Sequence, residues 1–368
     1  MIASGKKAVP IERLDVRSLV VPTDGLESDG TLEWDHTTIV LAEISAGGRR
    51  GIGYTYADRA TATLIDEALR SVVLGADAMN VQGAWGAMVR AIRNLGRPGI
   101  ASMAISAVDT ALWDLKARLL DVPLVTLLGA RRPSATLYGS GGFTSYSIGR
   151  LVEQLGQWAS AGFARVKMKV GRDPGRDAER VHAARQAIGE SVDLFVDANG
   201  AYDRKLALAM ADRFARDRVV WFEEPVSSDD LHGLRLLRDR APADMVIAAG
   251  EYGYDSFYFR RMLDAGAVDI LQADGTRCGG ITGLLQVDAL CESHGIGLSL
   301  HCAPQLHAHV ACALGRFVNL EYFYDHQRIE RMIFDGVLVP EKGELLLDPS
   351  APGAGVELKR KDLERWAT

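Results

Sequence analysis

Ionisable residues recur in this chain at a nearly constant interval. From Lys169 the series runs through Asp197, Glu223, Glu251, Asp274, His301 and Glu321, at spacings of 28, 26, 28, 23, 27 and 20 residues, and Lys167 stands two residues before it. Each member ends or follows a short apolar run. A charge buried without a partner costs several kcal/mol, so charges at one phase of successive repeats point to groups that face one another. Asp197, Glu223 and Glu251 are three hard oxygen donors. Brought together they repel unless a cation lies between them, and Mg²⁺ is an ion that suits such donors. Glu224 competes with Glu223 for this role, because strand neighbours point to opposite sides. Asn199, two residues past Asp197, is a further candidate for ligand or substrate contact, and equally a turn-former before Gly200.

The bases come from elsewhere in the series. Lys167 and Lys169 share a strand face, and two close ammonium groups lower each other's pKa. A lysine shifted in this way can take a proton near neutral pH. Asp274 and His301 can pair, the carboxylate fixing the imidazole tautomer and leaving the other ring nitrogen as acid or base. A lysine on one side, a His–Asp pair on the other and a cation between them suit removal of a proton α to a carboxylate. A gap on the order of twenty pK units between such a proton and its base amounts to about 27 kcal/mol at ~1.4 kcal/mol per unit. One base cannot supply that, whereas a divalent cation against the substrate carboxylate stabilises the developing charge. Glu321, if protonated, would donate a hydrogen bond to the second carboxylate oxygen.

These groups need a scaffold that aligns strand ends. After Pro133, eight apolar runs (Thr136–Tyr138, Arg165–Val170, Val192–Asp197, Val219–Glu224, Met245–Ala249, Asp269–Gln272, Gly297–Leu300 and Val318–Tyr322) alternate with helical patterns such as Ile148–Ala161, Pro174–Ile188 and Ile281–His294. Eight β-then-α units over roughly 190 residues predict a (β/α)8 barrel with its site at the C-terminal strand ends. A doubly wound sheet would carry a GxGxxG turn after its first strand, and none stands there. The first third reads as an α+β unit, with a strand at Thr37–Ile44, a turn region at Gly47, Gly48, Gly51 and Gly53, and helices near Ala60–Leu74, Val81–Leu95 and Gly99–Leu119. The stretch after Glu321 carries two apolar runs, Val337–Val339 and Leu345–Leu347, and is expected to return to the first unit. The predicted boundaries are 1–134, 135–322 and 323–368.

Composition narrows the partner. With 42 basic and 48 acidic side chains, the net charge of −6 argues against nucleic-acid and anionic-membrane partners, which select basic faces. No window approaches 18 uninterrupted apolar residues, so no spanning helix is predicted. Cys278, Cys291, Cys302 and Cys312 form no CxxC pair, which argues against a disulfide framework and a thiolate zinc site. They read as reduced packing thiols of a cytoplasmic protein. Met1–Pro10 has two lysines and no apolar segment after them, so no leader is expected.

Taken together, these motifs resemble the mandelate racemase group of the enolase superfamily over nearly the whole chain. Ala104–Arg118 resembles the family's helix motif, Lys167-Met168-Lys169 its KxK, Asp197-Ala198-Asn199 its DxN, Glu223-Glu224-Pro225 its EEP, and Gly250-Glu251 its GE. Asp274 to Gly279-Gly280 is similar to its DxxxxGG stretch, and His301 and Glu321 fall at its dyad histidine and electrophilic glutamate. Such sites pair a Lys or His base with Mg²⁺. The resemblance implies Lys169 as base, Lys167 as its pKa-lowering neighbour, Glu223 rather than Glu224 as ligand, and His301 with Asp274 as dyad. It also implies a modified barrel capped by an α+β domain built from the N-terminal region and the C-terminal segment. Two mobile loops of that cap, about Pro22–Trp34 and Tyr54–Asp58, would close the site. Their polar Thr23, Tyr54 and Tyr56 suit substrate hydroxyls, and their lack of Arg and Lys favours a mono-acid sugar. The implied reaction is Mg²⁺-dependent dehydration of an acid sugar, an aldonate or aldarate, to a 2-keto-3-deoxy acid. Racemisation or epimerisation of a 2-hydroxy acid is the alternative, and a non-catalytic sugar-acid-binding protein on the same fold a third. A homo-oligomer, octamer or dimer, is implied as well.

Overall fold

The computed structural model describes residues 8–367; the leader reading at Met1–Pro10 falls, for residues 1–7, outside them. An antiparallel sheet comes first, made of β1 (Arg13–Ser28), β2 (Glu33–Ala46) and β3 (Arg49–Tyr56). Eight parallel strands follow: β4 (Ser134–Gly141), β5 (Arg165–Lys169), β6 (Asp193–Asp197), β7 (Val219–Glu223), β8 (Val246–Ala249), β9 (Ile270–Ala273), β10 (Gly297–Leu300) and β11 (Phe317–Phe323). They pair in sequence order, and β11 pairs with β4 to close the barrel. Each of these strands overlaps one of the eight apolar runs.

Local chemistry starts the barrel helices where the sequence turns polar. Ser147, Asp173, Asp203, Asp230 and Asp255 each cap a helix by accepting a backbone N–H in its first turn. Such caps contribute about 1 kcal/mol each. Inside the barrel, Tyr138, Phe195, Trp221 and Ala248 form one buried layer, with Phe195 and Trp221 stacked at 4.8 Å. The layer seals the barrel, so polar groups placed beyond it on the same strands collect at one mouth.

The cap departs from its sequence reading in three places. Pro22–Trp34, expected as a mobile loop, is a strand hairpin: β1 and β2 stay paired to Ser28 and Glu33, across a register shift between Pro22 and Glu27. Its polar, turn-prone residues hid a pairing that rests on backbone bonds. Tyr54–Tyr56, expected in the second loop, end β3, and Asp58 caps the helix that follows. Gly51 and Gly53 also lie inside β3 rather than in a turn. A Cβ on them would come within 2.2 Å of Ala111 O and 2.1 Å of Ala107 O, so bare glycines let the sheet press on the long helix Ile100–Leu119.

The chain's last stretch serves both units. Glu344–Leu346 pairs antiparallel with β4, so the Leu345 run joins the barrel sheet rather than the cap. Farther on, Ala354 N donates to Asp114 Oδ1 at 2.7 Å and Val20 N to Trp366 O at 3.0 Å. Asp114 also accepts from Ile52 N and from Arg118, tying cap sheet, cap helix and C-terminal segment at one buried carboxylate. The helix Tyr324–Ile333 packs Ile329 and Ile333 against Leu19, Val21 and Ile39 of the cap. Among the described residues, no helix is long and apolar enough to cross a membrane.

Candidate active site

Register places the ionisable series in one ring. Lys169 pairs with Asp197 and Asp197 with Glu223 across β5, β6 and β7. Glu251 follows β8 through Gly250, whose φ is +135° and whose Cβ would lie 2.2 Å from Gln272 O; no side chain fits that crossing. Asp274 follows β9, His301 follows β10, and Glu321 lies within β11. All are buried. Asn199 and Glu224 hold left-handed backbone (φ 46° and 38°), as do Cys302 and Ala303 (53° and 42°). Non-glycine residues in that region cost on the order of 1–3 kcal/mol each and cluster where a site dictates geometry.

The contacts divide the ring into two sides around a carboxylate centre. Lys167 Nζ lies 2.5 Å from Glu223 Oε1, 2.8 Å from Glu321 Oε1 and 3.6 Å from Asp197 Oδ2. Lys169 Nζ lies 2.5 Å from Asp197 Oδ2. Across the mouth, His301 Nδ1 is 2.8 Å from Asp274 Oδ2, while its Nε2 faces Glu251 Oε2 at 3.3 Å and Glu321 Oε2 at 3.6 Å. Asp274 is anchored in turn by Thr276 N, and Glu321 by Ser140 Oγ and Cys302 N. The imidazole is therefore oriented with Nε2 toward the ring's centre.

Asp197, Glu223 and Glu251 each bring a carboxylate oxygen within 4.8 Å of the others. Among the described residues, six carboxylates (Asp197, Glu223, Glu224, Glu251, Asp274, Glu321) stand buried against Lys167, Lys169 and Arg277 as permanent cations. Glu251 Oε2 and Glu224 Oε1 are buried without a hydrogen-bond partner. Burial and then Asp197 push Glu223 well above its ordinary pKa, and burial and then Glu251 do the same to Glu224. Three converging oxygens, orphaned acceptors and surplus negative charge fit a hard divalent cation.

Two electrostatic expectations change sign. Lys169 was expected to be depressed by Lys167. Burial, the largest influence, and Lys167 do act in that direction, but Asp197 at 2.5 Å together with Glu251 and Glu321 outweighs them and raises the lysine above its usual value. Glu321 was considered as a protonated donor. Burial, the largest influence, favours that form, yet Lys167, His301 and Lys169 together hold the carboxyl well below its ordinary range. Asp274 behaves alike: burial opposes its charge most, and the hydrogen bond from His301 with the neighbouring Arg277 and His307 holds it ionised.

The residues assigned to substrate contact separate. Asn199 lies at the mouth, its N–H donating to Asp197 Oδ1 at 2.8 Å and its Oδ1 unpartnered. Tyr54 is placed elsewhere: its buried hydroxyl donates to Glu330 Oε1 and accepts from Leu306 N, leaving no group for a substrate. Tyr56 stacks on His326 at 3.4 Å, and Thr23 Oγ1 turns back to Gly25 O. The cap hairpin is held down on the barrel. Thr144 N donates to Ser28 O and Thr144 Oγ1 to Asp29 O, Arg150 pairs with Asp24 at 3.1 Å, and Arg328 donates to Pro22 O. Guanidiniums absent from the loop sequences thus reach the hairpin from the barrel.

Three contributors escaped sequence reasoning. Trp221 Nε1 donates to Glu223 Oε2 at 3.0 Å. Glu27, in the hairpin, is buried with Oε1 unpartnered and Oε2 accepting from Trp34. Burial, with Asp325 adding, pushes its pKa up to about 8. Cys302, read as a packing thiol, places Sγ against His301 Nε2 at 3.2 Å; its position directly after His301 was the available signal.

Known families and structures match most of the chain. The family profile described as mandelate racemase / muconate lactonizing enzyme, N-terminal domain, matches residues 30–129, and that described as enolase C-terminal domain-like matches residues 150–362. The chain is 32% identical to a 3,6-anhydro-alpha-L-galactonate cycloisomerase of Streptomyces coelicolor, over 96% of this chain and 98% of that one. It is 33% identical to an L-talarate/galactarate dehydratase of Salmonella typhimurium, over 77% and 73%. Among solved structures, a mandelate racemase/muconate lactonizing enzyme-like protein from Rubrobacter xylanophilus superposes with a TM-score of 0.96 at 56% identity, covering 98% of this chain and all of that one. A Streptomyces coelicolor racemase with bound magnesium gives 0.92 at 31%, over 97% and 100%.

Proposed function

The chain belongs to the mandelate racemase / muconate lactonizing enzyme family of the enolase superfamily, and we propose that it is a Mg²⁺-dependent acid-sugar dehydratase yielding a 2-keto-3-deoxy acid. The observation that carries this reading is the placement of two proton-handling groups around one carboxylate set: Lys169 touches Asp197 from β5, and His301 approaches Glu251 from the opposite side of the barrel. Dehydratases and cycloisomerases of acid sugars among the relatives support it.

Asp197, Glu223 and Glu251 would hold the ion, and bound there it supplies charge stabilisation for the substrate carboxylate. Lys169 takes the α proton. Asp197 keeps that amine protonated while it is the lysine's partner; with the carboxylate engaged elsewhere, burial and Lys167 favour the neutral base. His301 Nε2 delivers a proton to the leaving 3-hydroxyl, so water departs and the enol product tautomerises to the 2-keto acid. For that step His301 is the imidazolium: Nδ1–H stays on Asp274, which orients the ring, and Nε2–H is the proton given up, leaving the neutral imidazole. Lys167 and Ser140 hold Glu321 at the rim of the same pocket.

The second reading, isomerisation, uses the same pair on opposite faces of the α carbon. A panel of aldonic and aldaric acids, incubated with enzyme and Mg²⁺ and followed by mass spectrometry, separates the two. Loss of one water with appearance of a 2-keto acid is expected. A product of unchanged mass assigns isomerisation, and no turnover across the panel rejects the dehydratase proposal.

A further inference from the structure

Cys302 does not sit like a packing thiol. Its Sγ lies 3.2 Å from His301 Nε2 and 3.3 Å from Glu321 Oε2, and those two atoms are 3.6 Å apart. Zinc binds sulfur at about 2.3 Å and nitrogen or oxygen at about 2.0–2.2 Å, so the edges of a tetrahedron around it measure about 3.3–3.6 Å. The three atoms stand within a few tenths of an ångström of those edges, so small side-chain shifts complete one face of such a tetrahedron. A fourth donor is at hand in Glu251 Oε2, which is buried, lacks a hydrogen-bond partner and lies 3.3 Å from the same imidazole nitrogen. The left-handed backbone at Cys302 and Ala303 sets where the thiol points.

We propose that His301, Cys302 and Glu321 form a second cation site, softer than the oxygen triad, that takes Zn²⁺ and thereby withdraws His301 Nε2 from proton transfer. Donor chemistry separates the two sites. Asp197, Glu223 and Glu251 offer only oxygen, whereas one imidazole and one thiolate select zinc over magnesium. Charge admits both ions, since the six buried carboxylates exceed the three permanent cations by more than one divalent ion neutralises. Binding exchanges the thiol proton for the metal: Cys302 Sγ–H loses H⁺ to solvent as the S–Zn bond forms. The missing CxxC motif excludes only sites built from a local cysteine pair; this one joins neighbouring residues after β10 to a glutamate on β11. The site does not depend on the dehydratase reading, because it is tested without substrate.

Full-length protein loaded with Mg²⁺ is titrated with Co²⁺ as a spectroscopic stand-in for zinc. An intense near-ultraviolet thiolate-to-cobalt band is expected at one equivalent, bleached on addition of Zn²⁺. Cys302→Ser should lose the band and bind Zn²⁺ at least tenfold more weakly by calorimetry, with Mg²⁺ affinity kept as evidence of an intact fold. Zinc-edge anomalous diffraction from wild-type crystals locates the ion whatever the variant does, with density expected between His301, Cys302 and Glu321. Cobalt spectra without the band, a band that survives in Cys302→Ser, or zinc density confined to the oxygen triad overturns the proposal.

Discussion

At the scale of single residues, Lys169 shows how a local rule yields to a contact. A nearby ammonium lowers a lysine's pKa, but a carboxylate at 2.5 Å raises it more, so the base depends on what else engages Asp197. Lys167 is held differently, by Glu223 and Glu321 together, and serves as a fixed positive charge. Replacing Lys169 with Ala should reduce turnover about 10²–10⁴-fold, the usual contribution of a general base. Exchange of the substrate α proton in D₂O should fall with it, while circular dichroism stays unchanged. Undiminished exchange would remove Lys169 from the mechanism.

At the scale of elements, the β1–β2 hairpin buries a titratable group beside the helix that follows β11. Glu27 is raised from 4.5 to about 8, first by burial and then by Asp325, with Trp34 opposing. A carboxyl that binds its proton more tightly folded than unfolded stabilises the fold fully below pH 4.5. That contribution drains away as pH climbs toward 8. Glu27→Gln stays neutral throughout. Between pH 6 and pH 8, wild-type stability should therefore fall more steeply than that of the variant, by at most about 1.4 kcal/mol per pH unit. Parallel denaturation profiles over that window would show that Glu27 is ionised in the native hairpin.

At the scale of the whole molecule, the mouth concentrates like charge that folding must tolerate. An ion bound only by the native state adds stability with concentration, about 2.7 kcal/mol at a hundredfold excess over Kd. The melting temperature should accordingly rise by several degrees in saturating Mg²⁺ and fall back in EDTA, and Glu251→Gln should blunt the shift. A melting temperature indifferent to Mg²⁺ would separate the carboxylate triad from metal binding. Tyr54 meets Glu330 across 276 residues of sequence, and Asp24 meets Tyr324 across 300, so cap and barrel share contacts that neither unit makes alone.

Residue order by itself determined the barrel, its eight strands and the members of the ionisable ring, because a βα unit returns the chain to the same mouth every twenty to thirty residues, a periodicity that one dimension records. Lys167, Lys169, Asp197, Glu223, Glu251, Asp274, His301 and Glu321 were legible for that reason. Tertiary structure alone decided who meets whom across units: Tyr54 bonded to Glu330 instead of a substrate, Gly51 and Gly53 packed on a helix, the polar hairpin paired as strands, Glu27 buried, and Cys302 turned onto His301. These outcomes rest on contacts between distant segments and on the sign of summed electrostatic fields, and no interval along the chain encodes either.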